Sequence, residues 1–350
     1  MDRQYGGLYS VNSKTDNEEL SPIIFYYDEI DGMEYLWPRL AERFRQAGHA
    51  RPILFKEYDC YKELPGTDGD LYTYDAIVLS ALVYKGFLRT LPKSVSCERV
   101  FPWIMERSKI RHRSYGAPFM LCANALICRQ KDDLHVNNIM ELHENVAIPL
   151  RSMLMFYFVQ AVCENLNLKK SIRVMEHLLD LIGGKDFLEQ SGMDDYNGIE
   201  RFNREECRYL LSFTESLYDL KKDDYSVSFV NFSDREESKR PRFLADFISL
   251  GKHVQKEKLR DCLDLIEIMI SEEFVFELCV PDGELQYLLP ADRGVFQRLA
   301  EMDAVYRSLF DKVDSEENGV LRYGKRFYEN FYTRQDILLQ FLWEKAGWKP

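Results

Sequence analysis

The sequence predicts an α/β protein in which helices dominate and the chain forms two lobes. Two short apolar runs, at residues 22–27 and 52–58, are rich in aromatic and β-branched residues and indicate buried strands. Between them, residues 34–48 place apolar side chains at helical spacing and end at Gly48, a typical stop. A strand, a helix and a second strand within about forty residues indicate a parallel α/β unit.

The next part of the chain is predicted to change from extended to helical. Residues 63–70 are rich in turn-forming residues and lead into 71–88, which begins as a strand and continues as a helix. Beyond Cys122 we expect mostly helices, with clear helical patterns at 150–166 and 171–184. The second of these patterns begins at a serine cap and ends in a pair of glycines.

The last third of the chain continues this pattern. Residues 225–231 alternate as a strand does, and residues 233–242 form a charged surface loop. In 258–270 the apolar side chains share one helical face. Further helices are predicted near 294–313 and 333–346, so the sequence as a whole predicts a helix-rich α/β protein.

The composition limits the partners that this chain can bind. Its 46 basic and 58 acidic residues give a formal net charge of −12, which disfavours binding to nucleic acid or to anionic lipid. An acidic protein attracts cationic small molecules, so a positively charged substrate would suit it. With 46% hydrophobic residues, the chain can also form a large core.

The sequence contains no predicted export or membrane segment. Residues 1–20 are polar and indicate a leader without the apolar core of a signal peptide. The longest apolar run, 153–163, contains a glutamine and is too short to span a bilayer. We therefore expect a cytoplasmic protein without membrane insertion, while export by a specialised secretion machine would need no such signal.

The cysteines do not form a metal-binding pattern. No Cys-x-x-Cys pair and no His-x-x-x-His pair occurs, so no structural metal site is expected. The sequence also lacks the phosphate-binding loops and the nucleophile elbow of several common enzyme classes. Judged on its own, Cys122 is better explained as a core residue than as a nucleophile.

Several acidic residues stand among apolar or aromatic neighbours. Asp75 follows a tyrosine-rich run, Glu215 lies between aromatic and hydroxyl side chains, and Asp246 interrupts the apolar run at 242–251. A buried carboxylate without a partner is costly, so such residues cap helices, reach solvent or serve a site. From the residues alone, these alternatives stay open.

Six stretches, taken together and in order, resemble the thiaminase I (thiamine pyridinylase) family. SYGAPFMLCANALICRQKDD resembles the stretch that carries the family's nucleophile, and SFTESLYDL resembles the stretch that carries its catalytic glutamate. The other four are IIFYYDEIDG, YDCYKELPGTDGDLYTYDAIVLSALVYKGFLRTL, RFLADFISLG and QYLLPADRGVFQRL. The resemblance is colinear and extends from about residue 22 to about residue 315.

The resemblance implies a two-lobed fold of the type II periplasmic solute-binding-protein kind, with an active-site cleft between the lobes. After the leader, residues 21–117 and 243–315 would form the first lobe. Residues 118–242 and 316–350 would form the second, so both lobes are discontinuous in sequence. We expect a monomer.

The same resemblance assigns roles to individual residues. Cys122 would be the nucleophile, and Glu215 would be the general base that removes its proton. Asp75 and Asp246 would hold the aminopyrimidine ring and favour its protonated form. The aromatic residues predicted to line the cleft, two of them phenylalanine where relatives often carry tyrosine, are Phe25, Tyr27, Tyr61 and Phe213.

The implied activity is cleavage of thiamine, or of a close analogue, between the pyrimidine methylene and the thiazolium ring. A thiolate adds to the electron-poor pyrimidine, the neutral thiazole leaves, and a small amine or thiol co-substrate takes its place. The substrate is thus a small cation, which suits an acidic protein. No metal or organic cofactor is implied.

Two alternatives stay open at this stage. One is a cysteine-dependent transferase on the same fold that acts on a different heteroaromatic or amine substrate, which the two phenylalanine replacements favour. The other is a protein that binds a small molecule without chemistry. The paired Cys122 and Glu215 count against the second alternative, because binding alone needs no nucleophile and base.

Overall fold

The computed structural model describes most of the chain between residues 20 and 321. The predicted helix near 333–346 lies outside the described residues except for Glu344, as do nearly all of the predicted leader and most of the charged loop at 233–242. The described residues are 20–28, 35–129, 136–149, 153–165, 167–184, 197–220, 225–234, 241–315, 317–321 and 344.

A larger sheet combines strands from the early and the late parts of the described chain. In spatial order it runs β10-β4-β9-β3-β1-β2, with β11 beside β9; the strands are β1 (Ile23–Asp28), β2 (Ile53–Tyr58), β3 (Leu71–Asp75), β4 (Gly116–Cys122), β9 (Arg242–Leu250), β10 (Leu289–Pro290) and β11 (Gly319–Val320). Strands β2 and β3 are parallel to β1, whereas β9 is antiparallel to β3 and β4. The predicted parallel unit is confirmed.

Helices from the same parts of the chain accompany this sheet. Helix α1 (Leu36–Gln46) connects β1 to β2 and buries Leu36, Leu40 and Phe44 on one face, which is the spacing that predicted it. The predicted change from strand to helix within 71–88 is also confirmed. The remaining helices of these parts are α2 (Leu79–Lys85), α3 (Pro102–Ser108), α7 (Leu259–Met269), α8 (Glu272–Cys279), α9 (Arg293–Met302) and α10 (Ala304–Val313).

A smaller sheet lies in the middle of the chain, where we had predicted mostly helices. Its order is β6-β7-β5-β8, and its strands are β5 (Ala125–Cys128), β6 (Val146–Ala147), β7 (Tyr209–Ser212) and β8 (Ser226–Phe229). Helices still contribute more residues than strands to the described chain beyond Cys122. The sequence missed β5 and β7 because both strands are short and buried along their whole length. Strands of this kind show no alternation of apolar and polar residues. Of the four strands in this smaller sheet, the sequence predicted only β8, as the strand at 225–231.

The helices of this middle part are α4 (Met153–Asn165), α5 (Leu168–Leu181) and α6 (Gly198–Asn203). Helix α5 begins earlier than the predicted cap Ser171, because the Asn167 side chain accepts the N–H of Lys170. The Ser171 hydroxyl instead donates to the carbonyl oxygen of Ala161 in α4, at 3.1 Å. Among the described helices, none has both the length and the apolar character needed to cross a membrane.

Within the described residues, the chain passes between the two sheets at two places that bracket the middle part. Strand β4 ends at Cys122 and β5 begins at Ala125, so the first crossing consists of residues 123–124. The predicted boundary between residues 117 and 118 falls inside β4 and does not mark this change of sheet. The return lies between β8 and β9, close to the predicted boundary at 242 and 243. The division into lobes at the predicted residues otherwise stays a prediction.

Candidate active site

Four neighbouring strands of the larger sheet bring one thiol and three carboxylates into a row. In the order β4-β9-β3-β1, they contribute Cys122, Asp246, Asp75 and Asp28. Asp75 and Asp246 are direct partners in the antiparallel register of β3 and β9. Cys122 lies two residues from the position opposite Asp246, at the end of β4. The sheet therefore assembles these groups from residues that are far apart in sequence.

Cys122 lies in an acidic environment at the end of β4, where the chain first passes from the larger to the smaller sheet. Its side chain is partly exposed, a property that only Cys97 shares among the eight cysteines. Burial raises the pKa of the Cys122 thiol well above its ordinary value, and the negative charges of Glu215, Asp246 and Asp75 raise it further. The thiol therefore holds its proton in the unliganded protein, and a base is needed to form the nucleophilic thiolate.

Glu215, the predicted base, lies near enough to Cys122 for its charge to act on the thiol. It lies in a short 3-10 helix, Thr214–Asp219, that follows β7 of the smaller sheet. Burial raises the pKa of the Glu215 carboxyl to about 7, while its own N–H and the Thr214 hydroxyl lower it. The hydroxyl donates to Glu215 Oε2 at 3.5 Å. A carboxylate that titrates near neutral pH both accepts and returns a proton readily. The structure thus brings together the predicted nucleophile and the predicted base.

Asp75 is buried and held in one orientation by two donors. The Tyr61 hydroxyl donates to its Oδ2 at 2.6 Å, and the N–H of Ile77 donates to its Oδ1 at 2.9 Å. Burial raises the pKa of Asp75 to about 6, although both hydrogen bonds lower it. Asp75 can therefore carry a negative charge near neutral pH at a fixed position. This agrees with the predicted role of an anionic partner for a cationic ring.

Asp246 differs from its strand partner in its surroundings. It is partly exposed, and no residue in the described ranges donates a hydrogen bond to its carboxyl group. Burial raises the pKa of Asp246 well above its ordinary range, and the charges of Asp75, Asp28 and Glu215 raise it further. Asp246 therefore tends to be protonated in the unliganded site. A neutral carboxyl beside the anionic Asp75 can supply a proton to a ligand.

Asp28 is a member of this row that sequence reasoning missed. It ends β1 as Asp75 ends β3, and the N–H of Cys60 donates to its Oδ1 at 2.7 Å. Burial raises the pKa of Asp28 to about 7, and Asp75 raises it further, while the Cys60 hydrogen bonds lower it. The signal was available in the sequence. Two runs of strand residues each end in aspartate, and the carboxyl ends of parallel strands share one edge of a sheet.

An aromatic ring from the part of the chain that forms the larger sheet and two rings from the middle part meet beside Asp75. The ring of Tyr61 contacts Phe156 of α4 edge-on, with centroids 5.0 Å apart, and Phe156 contacts Phe213 in the same way at 6.0 Å. All three side chains are partly buried. Phe156, which the sequence reasoning missed because its helix has the pattern of an ordinary apolar run, thus connects the predicted residues Tyr61 and Phe213. Contact of these rings with a ligand stays a prediction.

Two other predicted cleft residues lie on the α1 side of β1. Phe25 has no exposed surface and packs on Trp37 and Phe55, so its prediction as a cleft residue is corrected: it is a core side chain. Tyr27 also packs on Trp37, and its hydroxyl donates to Glu57 Oε2 at 3.0 Å. The position of helix α1 decides which face of β1 is covered, and the strand pattern alone does not show it. For Tyr27, contact with a ligand stays a prediction.

A buried polar network fixes the crossing that follows Cys122. The side-chain amide of Asn124 donates to the side-chain oxygen of Gln160. The backbone carbonyl of Asn124 accepts a hydrogen bond from the N–H of Val230 at 3.0 Å. Gln160 in turn donates to Glu164 at 2.6 Å, and Glu164 accepts the N–H of Phe232 at 2.9 Å. Both crossings between the sheets are therefore tied to α4 through Gln160 and Glu164. This agrees with a structural role for Asn124.

Replacing Tyr61 by phenylalanine tests the anchoring of Asp75. The change removes a hydrogen bond to a charged group, and such bonds contribute roughly 1.5–3 kcal/mol. Because this bond lowers the pKa of Asp75, its loss raises that pKa and leaves less carboxylate at neutral pH. We expect the KM for a cationic substrate to rise about tenfold at pH 7 and to recover partly at higher pH. Tyr84→Phe, on an exposed ring of α2, is the matched control; an equal rise in both variants would contradict the role.

Comparison with known proteins places this geometry in a known fold. No family model matches the chain. The chain is 26% identical over 315 residues to thiaminase-1 of Paenibacillus thiaminolyticus. The alignment covers 77% of this chain and 75% of that protein. The solved structure of Clostridium botulinum thiaminase I in complex with thiamin aligns with a TM-score of 0.78 at 21% identity, over 92% of this chain and all of the other.

A more distant comparison defines the fold class. The maltose-maltodextrin binding protein of Alicyclobacillus acidocaldarius aligns with a TM-score of 0.64 at 10% identity, over 93% of this chain and 95% of the other. The predicted fold, that of type II periplasmic solute-binding proteins, is confirmed by these likenesses. The resemblance to thiaminase I that the sequence blocks predicted is likewise confirmed.

Proposed function

We propose that this protein is a thiaminase I-type transferase, which cleaves thiamine or a close analogue and transfers its pyrimidine part to a second nucleophile. The observation that carries the proposal is the convergence of Cys122, Glu215 and the paired aspartates Asp75 and Asp246 on one site. The sequence likeness to thiaminase-1 supports the same reaction. A small cationic substrate also suits the acidic surroundings of this site.

The proposed first half-reaction forms a covalent adduct on Cys122. Glu215 takes the thiol proton, and the thiolate forms a sulfur–carbon bond with the electron-poor pyrimidine ring. Asp75 and Asp246 hold that ring with a proton on its nitrogen. Attack by the sulfur displaces a π electron pair of the ring, and the positively charged ring nitrogen accepts that pair. The bond between the methylene carbon and the thiazolium nitrogen then breaks, and its electron pair leaves with the neutral thiazole.

The second half-reaction releases the enzyme. Glu215 first releases the thiol proton to solvent. An incoming amine or thiol then forms a bond to the methylene carbon and gives its proton to Glu215. The sulfur–carbon bond breaks, its electron pair returns to Cys122, Glu215 returns the proton to the thiolate, and the pyrimidine ring is restored. The protein as a monomer supplies every group in this scheme. The expected cytoplasmic location stays a prediction, which fractionation of the producing cells would test.

Mass spectrometry of the products separates this proposal from its alternatives. The protein is incubated with thiamine and aniline, in parallel with the Cys122→Ala variant. We expect free thiazole and a pyrimidine–aniline conjugate with the wild type and neither product with the variant. A covalent adduct formed only with a different heteroaromatic would favour the alternative transferase. Reversible thiamine binding by both proteins, without products, would favour a binding protein and refute the proposal.

A further inference from the structure

Asp28 has no part in the reaction proposed above, although it stands in the same row of strand ends. Its main chain and side chain are both fixed by neighbouring elements. Its N–H donates to the Thr73 hydroxyl of β3 at 3.2 Å, and its Oδ1 accepts the N–H of Cys60 at 2.7 Å. The side chain is almost completely buried, with 7% exposure. Burial of a carboxyl group costs free energy that the Cys60 hydrogen bond offsets, and the bond fixes the carboxyl group in the row.

The charge of Asp28 acts along the row and not toward a cation. The described residues offer Asp28 hydrogen-bond donors, but no lysine or arginine is paired with it. Among the described residues, the titratable groups with a leading electrostatic interaction with Asp28 are Asp59, Cys60, Tyr61, Asp75 and Asp246. All of these are acids, so each negative charge in the row makes it harder to ionise the next carboxyl group.

We propose that Asp28 is a positioning residue of this reaction, which keeps a proton on Asp246 and so prepares Asp246 to protonate the pyrimidine ring. The inference rests on the proposed function for its purpose, but its physical content concerns the unliganded protein. When the substrate enters, the Asp246 proton moves to the ring nitrogen. The result is a positively charged ring facing two carboxylates, Asp75 and Asp246, with no proton lost to solvent.

The order of the strands shows how Asp28 acts on Asp246. Asp75 is fixed by Tyr61 and Ile77, and both bonds favour its charged form. The negative charges of Asp75 and Glu215 already favour the neutral form of Asp246. Asp28, on the far side of β3, adds a further negative charge with the same effect.

Carbon-13 NMR of protein labelled at the aspartate side-chain carboxyl carbons tests this directly and without substrate. The Asp246 signal is assigned from its absence in Asp246→Asn. In Asp28→Asn, which keeps an oxygen for the Cys60 N–H, we expect the titration midpoint of Asp246 to fall by roughly half a unit to one unit. Asp68→Asn removes an equal charge from an exposed carboxyl group in the loop before β3, and the titration midpoint of Asp246 should stay unchanged in this variant.

Activity measurements then link the titration to the reaction. The alkaline limb of kcat/KM for thiamine should move to lower pH in Asp28→Asn, and Asp28→Glu, which restores the charge, should move it back. Asp28→Ser is a second uncharged variant in case the Asp28→Asn protein does not fold. An Asp246 midpoint that stays within the error of the Asp68→Asn control overturns the inference. Absence of thiamine turnover in the wild type would instead refute the proposed function, while the NMR result still decides the role of Asp28.

Discussion

Replacing Cys122 by alanine is expected to reduce the transfer of the pyrimidine group at least about a thousand-fold, because alanine has no nucleophile with which to form the covalent adduct. Binding of thiamine should persist, since the aspartates and the aromatic rings that would hold the pyrimidine remain. Product formation measured by mass spectrometry and binding measured by calorimetry separate these two effects. In the wild type, quenching during turnover should trap a pyrimidine adduct, which peptide mapping should place on Cys122.

Cys97 provides the matched control for this experiment. It is the other partly exposed cysteine, and burial raises the pKa of its thiol to about 11. No carboxylate contributes to that shift, whereas three contribute at Cys122. Cys97→Ala should therefore leave turnover unchanged. Full activity of Cys122→Ala, or an adduct located on Cys97, would contradict the assignment of the nucleophile.

The sequence predicted the parts of the fold that have a local pattern. The unit of β1, α1 and β2 was found because its strands are apolar and its helix has one apolar face. The smaller sheet was missed because β5 and β7 pair with each other through a register that no short stretch reveals. Four buried residues in succession fit a helix in a core as well as a strand.

The candidate site was predictable only through likeness to a family, and the reason is geometric. Cys122 and Asp246 become neighbours because β9 returns from the middle part of the chain and pairs with β4. Asp28 joins them because β1 pairs with the other side of β3. Neither pairing can be calculated from the spacing of the residues. The error at Phe25 has the same origin, since only the packing of α1 shows which face of β1 is covered.

Replacing Glu215 by glutamine is expected to lower kcat/KM by roughly a hundred- to ten-thousand-fold, the usual effect of losing a general base. The variant is nearly isosteric, so thiamine binding should change much less than turnover. Glu144→Gln, which removes an exposed carboxylate paired with Arg208 near the smaller sheet, is the control and should keep full activity. Equal losses in both variants would show that charge, and not general base action, is responsible.

The pH dependence gives the sharper test of Glu215. The base must be ionised to act, and burial raises the pKa of Glu215 to about 7, so kcat/KM of the wild type should rise as the pH increases through about 7. In the complex, the positive thiazolium ring favours the carboxylate form, so the corresponding limb of kcat should lie at lower pH. Glu215→Gln should lose the acid limb near pH 7 in kcat/KM and the corresponding limb in kcat, which leaves the acid limb near pH 6 that the ionisation of Asp75 sets. An unchanged acid limb in this variant would assign the base to another residue, even if the rate had fallen.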